Sequence, residues 1–200
     1  MKKICLSACL VSAILLTGCA SYQTTSLSAL DPECVRTYPQ AEGLSIGCKA
    51  YSREDCYHYL DRDVIAKGYQ PIQLTFQNRT DKHYVFSVKN LSIPCINPQE
   101  VAKTVHTSTV GRIVGYSVGG LFLWPLFIPA VVDGIKSSNA NTELDKDFDK
   151  KAKDSFIVAP GAFTKTLIFV PKSQYQPLFD VTLFEEETGV YKTVSVSAAR

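Results

Sequence analysis

The cysteine at position 19 has the sequence setting that most clearly indicates covalent chemistry. It ends the stretch Leu-Thr-Gly-Cys (16–19), which follows Lys2, Lys3 and an apolar run over residues 4–16. A positive start, a short apolar run and small residues at its end are the plan of a secretory signal. The run is shorter than the roughly 20 apolar residues that a membrane-spanning helix needs. Because a thiolate is a good nucleophile, Cys19 is the candidate modification site.

This stretch resembles the lipobox of bacterial lipoproteins, in which Leu and one or two small residues precede a Cys. The resemblance implies removal of signal residues 1–18, a thioether-linked diacylglycerol on Cys19 and acylation of its new amino group. Three acyl chains would give a stable membrane anchor. Ala20 and Ser21 follow, without the Asp that retains lipoproteins at the inner membrane in many Gram-negative cells, which implies the outer membrane. The alternative is a plain signal peptide with an ordinary cysteine.

Four more cysteines remain after that point in the chain: Cys34, Cys48, Cys56 and Cys95. An even number in an oxidising compartment predicts two disulfides, with three possible pairings. Buried free thiols are the alternative. The sequence has no Cys-x-x-Cys and no paired His, which disfavours a metal centre. We therefore expect neither a metal nor a cofactor.

The middle of the chain contains a long uncharged segment, from Arg112 to Asp133. Pro125 and Pro129 would break a single spanning helix there. The pattern instead favours a helical hairpin, with one helix over about 98–123 and a short second helix that starts near Pro129. Three interpretations of residues 110–134 stay open. They are an internal hairpin packed on the domain, a loop that enters the membrane or its interface, and a self-association surface.

Certain residues of this segment are expected to contact lipid or a partner. The glycines recur four apart, which would let another helix approach closely. A Trp at a bend among apolar neighbours suits a membrane interface. The candidate contact residues are Gly111, Gly115, Gly119, Leu121, Phe122, Trp124, Phe127 and Ile128.

Sequence motifs of enzymes are not found. The histidines, His58, His83 and His106, form no His-Glu-x-x-His pattern, and no Ser lies in a Gly-x-Ser-x-Gly elbow. Glu54, Asp55 and the acidic residues 185–187 are expected to be exposed. The sequence therefore predicts a protein that is not an enzyme.

An acidic stretch begins like a calcium loop, with Asp145, Asp147 and Asp149, but Lys150 stands where that loop requires Gly. We expect these carboxylates to lie on the solvated face of a helix instead. Asn141 would cap this helix, which would run to about residue 152 with Leu144 and Phe148 on its inner face.

Hydrophobic periodicity predicts the remaining elements. Residues 44–51 fit a strand, and Ser52 fits the N-cap of a helix that ends at Gly68. Alternation over 72–88, with a turn at 78–82, predicts a strand–turn–strand unit with one buried face. Ile72, Leu74 and Phe76 would face inward there, and Gln73 and Thr75 outward.

The last part of the chain returns to strand patterns. Two strands flank Pro160-Gly161, and a hairpin follows with its turn near Thr188-Gly189. The inward-facing residues of that hairpin would be Phe179, Val181 and Leu183.

The predicted fold is mostly β, an antiparallel sandwich with a helical insertion at about 98–152 between strands. Residues 1–18 would be the signal, 19–43 the lipidated Cys and a tether, and 44–200 the domain. The strand order resembles immunoglobulin-like domains of bacterial envelope lipoproteins.

The charge balance limits the function classes. The chain has 21 Lys and Arg and 19 Asp and Glu, and removal of Lys2 and Lys3 leaves 19 of each. This balance argues against a nucleic-acid partner. We expect a non-catalytic envelope lipoprotein, anchored in the outer membrane and facing the periplasm or the cell surface, that binds a protein or lipid partner or has a structural role. The alternatives are a carrier of a small apolar ligand and an enzyme whose active site follows no known motif.

Overall fold

The protein is mostly β, with two antiparallel sheets. The computed structural model describes residues 21–23, 25–30, 37–38, 43–107 and 127–198. The chain divides into two compact units, one formed by residues 1–22 and 106–144 and the other by 23–105 and 145–200. All the strands and both of the shorter α-helices belong to the second unit.

The strands are β1 (Thr37–Tyr38), β2 (Leu44–Ala50), β3 (Tyr69–Asn78), β4 (Tyr84–Ser87), β5 (Ser155–Val158), β6 (Phe163–Pro171), β7 (Leu178–Glu185) and β8 (Val190–Ser197). The α-helices are α1 (Arg53–Leu60), α2 (Pro98–Thr104) and α3 (Phe127–Lys151). Short 3-10 helices cover Ile65–Lys67, Val88–Asn90 and Lys172–Gln174. The five-stranded sheet has the order β1-β8-β7-β4-β5, and the three-stranded sheet the order β2-β3-β6.

One hydrophobic core contains side chains from both sheets. Alternate residues of strands β2 to β8 enter it, because successive side chains on a strand point to opposite faces. The expected inward residues of β3 and β7 are all buried in this core: Ile72, Leu74, Phe76, Phe179, Val181 and Leu183. These predictions from the period-two pattern are confirmed.

The three-stranded sheet is also buried on its second face, and the expectation of a solvated outer face was wrong. Gln73 and Thr75 on β3 are only 1% and 4% exposed, although they point away from the shared core. On the neighbouring strand β6, Phe169 stacks on Phe148 of α3 with ring centroids 5.4 Å apart and an interplanar angle of 5°. A second layer of structure therefore covers this sheet.

Helix α1 begins as predicted and ends earlier than predicted. The Ser52 hydroxyl accepts from the Asp55 backbone N–H (3.1 Å), and the Asp55 carboxylate accepts from the Ser52 N–H (2.9 Å). The helix stops at Leu60 because Asp61 adopts the left-handed conformation, with φ 51°. Gly68, with φ 92°, instead ends the 3-10 helix that follows.

Helix α2 also ends earlier than predicted, at Thr104 rather than near residue 123. The Thr104 hydroxyl donates to the Val101 carbonyl (2.7 Å), and Val105 follows as a second β-branched residue. Both features disfavour helix continuation. His106 therefore lies after the helix, and the rest of the expected first helix falls on residues 108–126, outside the described part of the chain.

Helix α3 is one continuous helix, where two separate helices had been expected. Asn141 does not cap it but lies inside it, where the side chain accepts from the Thr107 N–H (2.8 Å) and donates to the Thr107 carbonyl (3.2 Å). No proline interrupts the helix after Pro129, so nothing forces a break before Asn141. Leu144 and Phe148 are fully buried, as predicted.

The C-terminal strands confirm the sequence prediction. Strands β5 and β6 flank Pro160-Gly161 but join different sheets. Strands β7 and β8 form a hairpin whose turn contains Gly189 at φ 68°, a conformation that favours glycine. Strand β1, which pairs with β8, lies in the segment expected to be a tether.

Replacement of the α1 cap should destabilise the fold measurably. We expect Ser52→Ala to lower the free energy of unfolding by about 1 kcal/mol, because the N-terminal amide of the helix loses its acceptor. Urea denaturation followed by circular dichroism measures this loss. The control is Ser173→Ala at an exposed position, which should stay within about 0.5 kcal/mol of the native protein. Equal effects of the two substitutions would contradict the capping role.

Candidate functional site

The segment that follows the predicted modification site lies against the outer face of the three-stranded sheet. We call residues 23 and 25–30 the strap. Lys165 Nζ of β6 donates to the Leu27 carbonyl (2.7 Å), and Gln73 Nε2 of β3 donates to the Ser28 carbonyl (2.8 Å). Nearer its start, the Gln23 backbone N–H donates to Asp61 Oδ2 (3.3 Å). The strap thus contacts both the sheet and the end of α1.

Two tyrosines extend this hydrogen-bond network, Tyr59 to the strap and Tyr51 to Gln73. The Ser28 hydroxyl lies 2.5 Å from the Tyr59 hydroxyl, and the Tyr51 hydroxyl donates to Gln73 Oε1 (2.7 Å). The rings of Tyr51 and Tyr59 stack with centroids 5.3 Å apart. Burial raises the pKa of Tyr51, so its hydroxyl stays protonated and remains a donor. Both polar atoms of the buried Gln73 side chain are therefore hydrogen-bonded. Its oxygen accepts from Tyr51, which lies between β2 and α1, and its nitrogen donates to the strap.

A buried ion pair lies next to these tyrosines. Lys151 Nζ lies 2.5 Å from Asp147 Oδ2, one turn away on α3, and both side chains are 6% exposed. The same ammonium donates to the Tyr59 carbonyl of α1 (2.5 Å). Burial lowers the pKa of Lys151, and the hydrogen bond to Asp147 opposes that effect. The prediction that Asp147 lies on a solvated helix face was wrong.

An open groove of about 340 Å³ runs beside the strap. Three lysines and one aspartate line it, so its net charge is positive. Lys165 Nζ also lies 5.8 Å from the centre of the half-exposed Phe163 ring. The groove residues are Ser26, Leu27, Asp147, Lys150, Lys151, Phe163, Thr164 and Lys165. A groove of this charge favours anionic groups at its rim.

A second polar cluster surrounds Glu185 at the end of β7. Its side chain is 1% exposed, with Oε1 accepting from Lys82 Nζ (2.5 Å) and the Thr188 hydroxyl (2.9 Å). Lys192 Nζ lies 2.7 Å from Oε2 and also donates to the Tyr84 hydroxyl (3.3 Å). Hydrogen bonds from Lys192 and Lys82 lower the pKa of Glu185 to about 2.

The expectation that Glu185 is exposed was wrong, and the sequence contained the signal. Residue 185 continues the alternation of Phe179, Val181 and Leu183, so the pleat directs its side chain inward. A carboxylate with so low a pKa stays ionised at neutral pH and is a counter-ion rather than a general base. Its neighbour Glu187 instead bonds the His83 ring and backbone at the surface.

The surroundings of Cys56 and Cys95 disfavour the thiolate form of their side chains. Burial, with Asp63 nearby, raises the pKa of Cys56 to about 12, and burial raises that of Cys95 to about 12 as well. Thiols of such pKa are poor nucleophiles near neutrality. No disulfide joins Cys48, Cys56 and Cys95 to one another in the described part of the chain. Two disulfides among the four cysteines would need one bond within this trio, so only a disulfide from Cys34, which lies outside the described residues, stays a prediction.

Most of the predicted contact residues lie outside the described residues, as does Cys19. These are Gly111, Gly115, Gly119, Leu121, Phe122 and Trp124, whereas Phe127 and Ile128 begin α3. Within the described ranges, no helix is both long and apolar enough to cross a membrane, and no group of His, Cys, Asp and Glu could hold a metal. Comparison with known protein families, curated proteins and solved structures found no match.

Breaking the buried ion pair should be costly. We expect Lys151→Met to lower the free energy of unfolding by about 3 kcal/mol, because it leaves the Asp147 carboxylate buried without its cation. Urea denaturation measures the loss. The control is Lys150→Met at the exposed neighbouring position, which should have little effect. Adding Asp147→Leu to Lys151→Met should recover part of the loss. An effect of Lys151→Met no larger than that of the control would contradict the account.

Glu185 should make the free energy of unfolding of the protein depend on pH. Its pKa is lowered on folding from 4.5 to about 2, so its stabilising contribution is present above pH 4.5 and is lost as the pH falls towards 2. We expect Glu185→Gln to be less stable than the native protein at pH 7 and to approach it as the pH falls through this range. The urea midpoint as a function of pH measures the difference. Glu186→Gln, at an exposed position, is the control and should follow the native protein throughout; a pH-independent effect of Glu185→Gln would contradict the assignment.

Proposed function

We propose that the chain is a lipoprotein of the bacterial envelope, anchored through acylated Cys19, whose folded part is non-catalytic and binds a partner or has a structural role. The observation that carries this proposal is the order of Lys2, Lys3, an apolar run and the Leu-Thr-Gly-Cys stretch. The strap is compatible with it, because Gln23, four residues after Cys19 in the sequence, and Leu27 are hydrogen-bonded to the domain. Ala20 and Ser21 favour the outer membrane, with the domain in the periplasm or at the cell surface.

We further propose that the two sheets form an immunoglobulin-like sandwich with a helical insertion. The shared hydrophobic core supports this arrangement, because it draws side chains from both sheets. The position of α2 and α3 in the chain, between β4 and β5, supports the insertion. Residues 110–134 remain the proposed contact with a protein or lipid partner, or with a second copy of the chain. A disulfide from Cys34 to one of Cys48, Cys56 and Cys95 would suit the oxidising compartment.

The polar clusters support a structural rather than a catalytic role for the described surfaces. Lys151 and Asp147 neutralise each other, and Glu185 is held by two lysines. Each of these buried charges has an oppositely charged partner within the protein. Such pairs serve to place one element against another.

Mass spectrometry of the protein purified from a Gram-negative host tests the anchor. We expect the N-terminal residue to be Cys19, with a mass increase that corresponds to a diacylglyceryl group and one N-acyl chain. The protein should partition into detergent and float with vesicles. Cys34→Ala is the matched control and should keep the full lipid mass, whereas Cys19→Ala should abolish it. An unmodified thiol at position 19, or a leader still attached, would overturn the proposed function.

A further inference from the structure

We infer that the face of the domain that bears the strap lies against the lipid surface, and that the strap holds it there. This inference rests on the proposed lipidation of Cys19. It concerns which side of the domain faces the bilayer, a property that lipidation alone does not determine. A tether that did not contact the domain would leave every face equally available.

The short chain between the anchor and the strap limits how far the domain can lie from the lipid. Gln23 follows Cys19 by four residues, and four extended residues span at most about 14 Å. The Gln23 N–H is bonded to Asp61, and Leu27 and Ser28 are bonded to Lys165 and Gln73. While these bonds are formed, the end of α1 stays within that distance of the acylated residue. If the whole stretch from Cys19 to Gly43 were detached from the domain, the distance between the anchor and the domain could be several-fold longer.

The exposed side chains near the strap suit a lipid interface. Tyr57 is 58% exposed and lies one helical turn before Asp61, on the same side of α1. Phe163 is 50% exposed at the groove beside the strap, next to Lys165. Aromatic rings concentrate at the level of lipid headgroups, and lysines near a membrane surface are attracted to anionic headgroups.

The charge of the face that bears the strap also favours contact with an anionic lipid surface. The groove has three lysines and one aspartate, and Lys150 among them is exposed. Around α1 and the loop after it the charges balance, because Lys49 of β2 pairs with Asp55, Arg53 with Asp63, and Arg62 with Asp61. The exposed Glu54 and Lys67 are opposite in formal charge. The face as a whole is therefore weakly basic and carries two exposed aromatic rings. Such a face is held at a bilayer by the anchor and strap rather than by its own affinity.

The opposite side of the domain offers a matched reference position. Tyr191 on β8 is 62% exposed. Val194 and Val196 of the same strand belong to the core shared with the three-stranded sheet. Tyr191 lies an odd number of residues from both, so its side chain is on the opposite, outer face of the five-stranded sheet. Tyr191 thus lies across the core from the strap.

Energy transfer from tryptophan to lipid headgroups tests the inference on the full-length lipidated protein. Trp124 is the only tryptophan, so Trp124→Phe gives a background in which Tyr57→Trp, Phe163→Trp or Tyr191→Trp is the sole donor. The protein is reconstituted in vesicles of phosphatidylethanolamine and phosphatidylglycerol that contain dansyl-labelled headgroups. We expect higher transfer efficiency from positions 57 and 163 than from position 191. Equal efficiencies, or a higher value from position 191, would overturn the inference.

A strap variant tests whether the strap is the cause. Lys165→Met with Tyr59→Phe removes two of the strap's partners while it keeps the apolar part of each side chain, and circular dichroism monitors folding. We expect the difference between positions 57 and 191 to be lost, with the protein still on the vesicles. An undiminished difference would overturn the role of the strap. Vesicle flotation is scored separately: protein that does not float refutes lipidation and with it this inference, whereas protein that floats without a difference refutes the inference alone.

Discussion

Burial of both faces of the three-stranded sheet is the constraint on which the rest of the structure depends. One face joins the core shared with the five-stranded sheet, and the other carries Gln73 and Thr75 at buried positions. A buried amide without partners costs about 1–3 kcal/mol. Tyr51 and the strap supply partners for Gln73, and Phe148 on Phe169 supplies apolar cover. The strap is therefore a part of the folded domain.

The buried charges follow from the same cover. Lys151 reaches Tyr59 across the second layer, so α1 and the end of α3 are joined by one ammonium, and Asp147 compensates its charge. Glu185 has the equivalent role at the end of β7, where two lysines surround it. In both clusters the charges hold elements in place. This pattern suits a domain whose elements keep a fixed arrangement.

The sequence predicted the features that depend on local pattern and missed those that depend on remote residues. Alternation alone places Phe179, Val181 and Leu183 in the core, and Ser52 before an acidic first turn is enough to predict a helix cap. Gln73 was expected outside, because nothing in the pattern of β3 shows that the distant strap and α3 cover its second face. The burial of Asp147 and its pairing with Lys151 were also missed, because both depend on what α3 packs against. The end of α1 was missed since Asp61 is not a glycine, yet it takes the left-handed conformation.

Nuclear Overhauser effects in the protein in solution show most directly whether the strap is docked on the three-stranded sheet. The side-chain amide of Gln73 is the natural probe, because it donates to the Ser28 carbonyl. We expect cross-peaks between this amide and protons of residues 27–29, together with slowed exchange of the amide. Random-coil chemical shifts for residues 23–30, with no cross-peak to Gln73, would contradict this expectation.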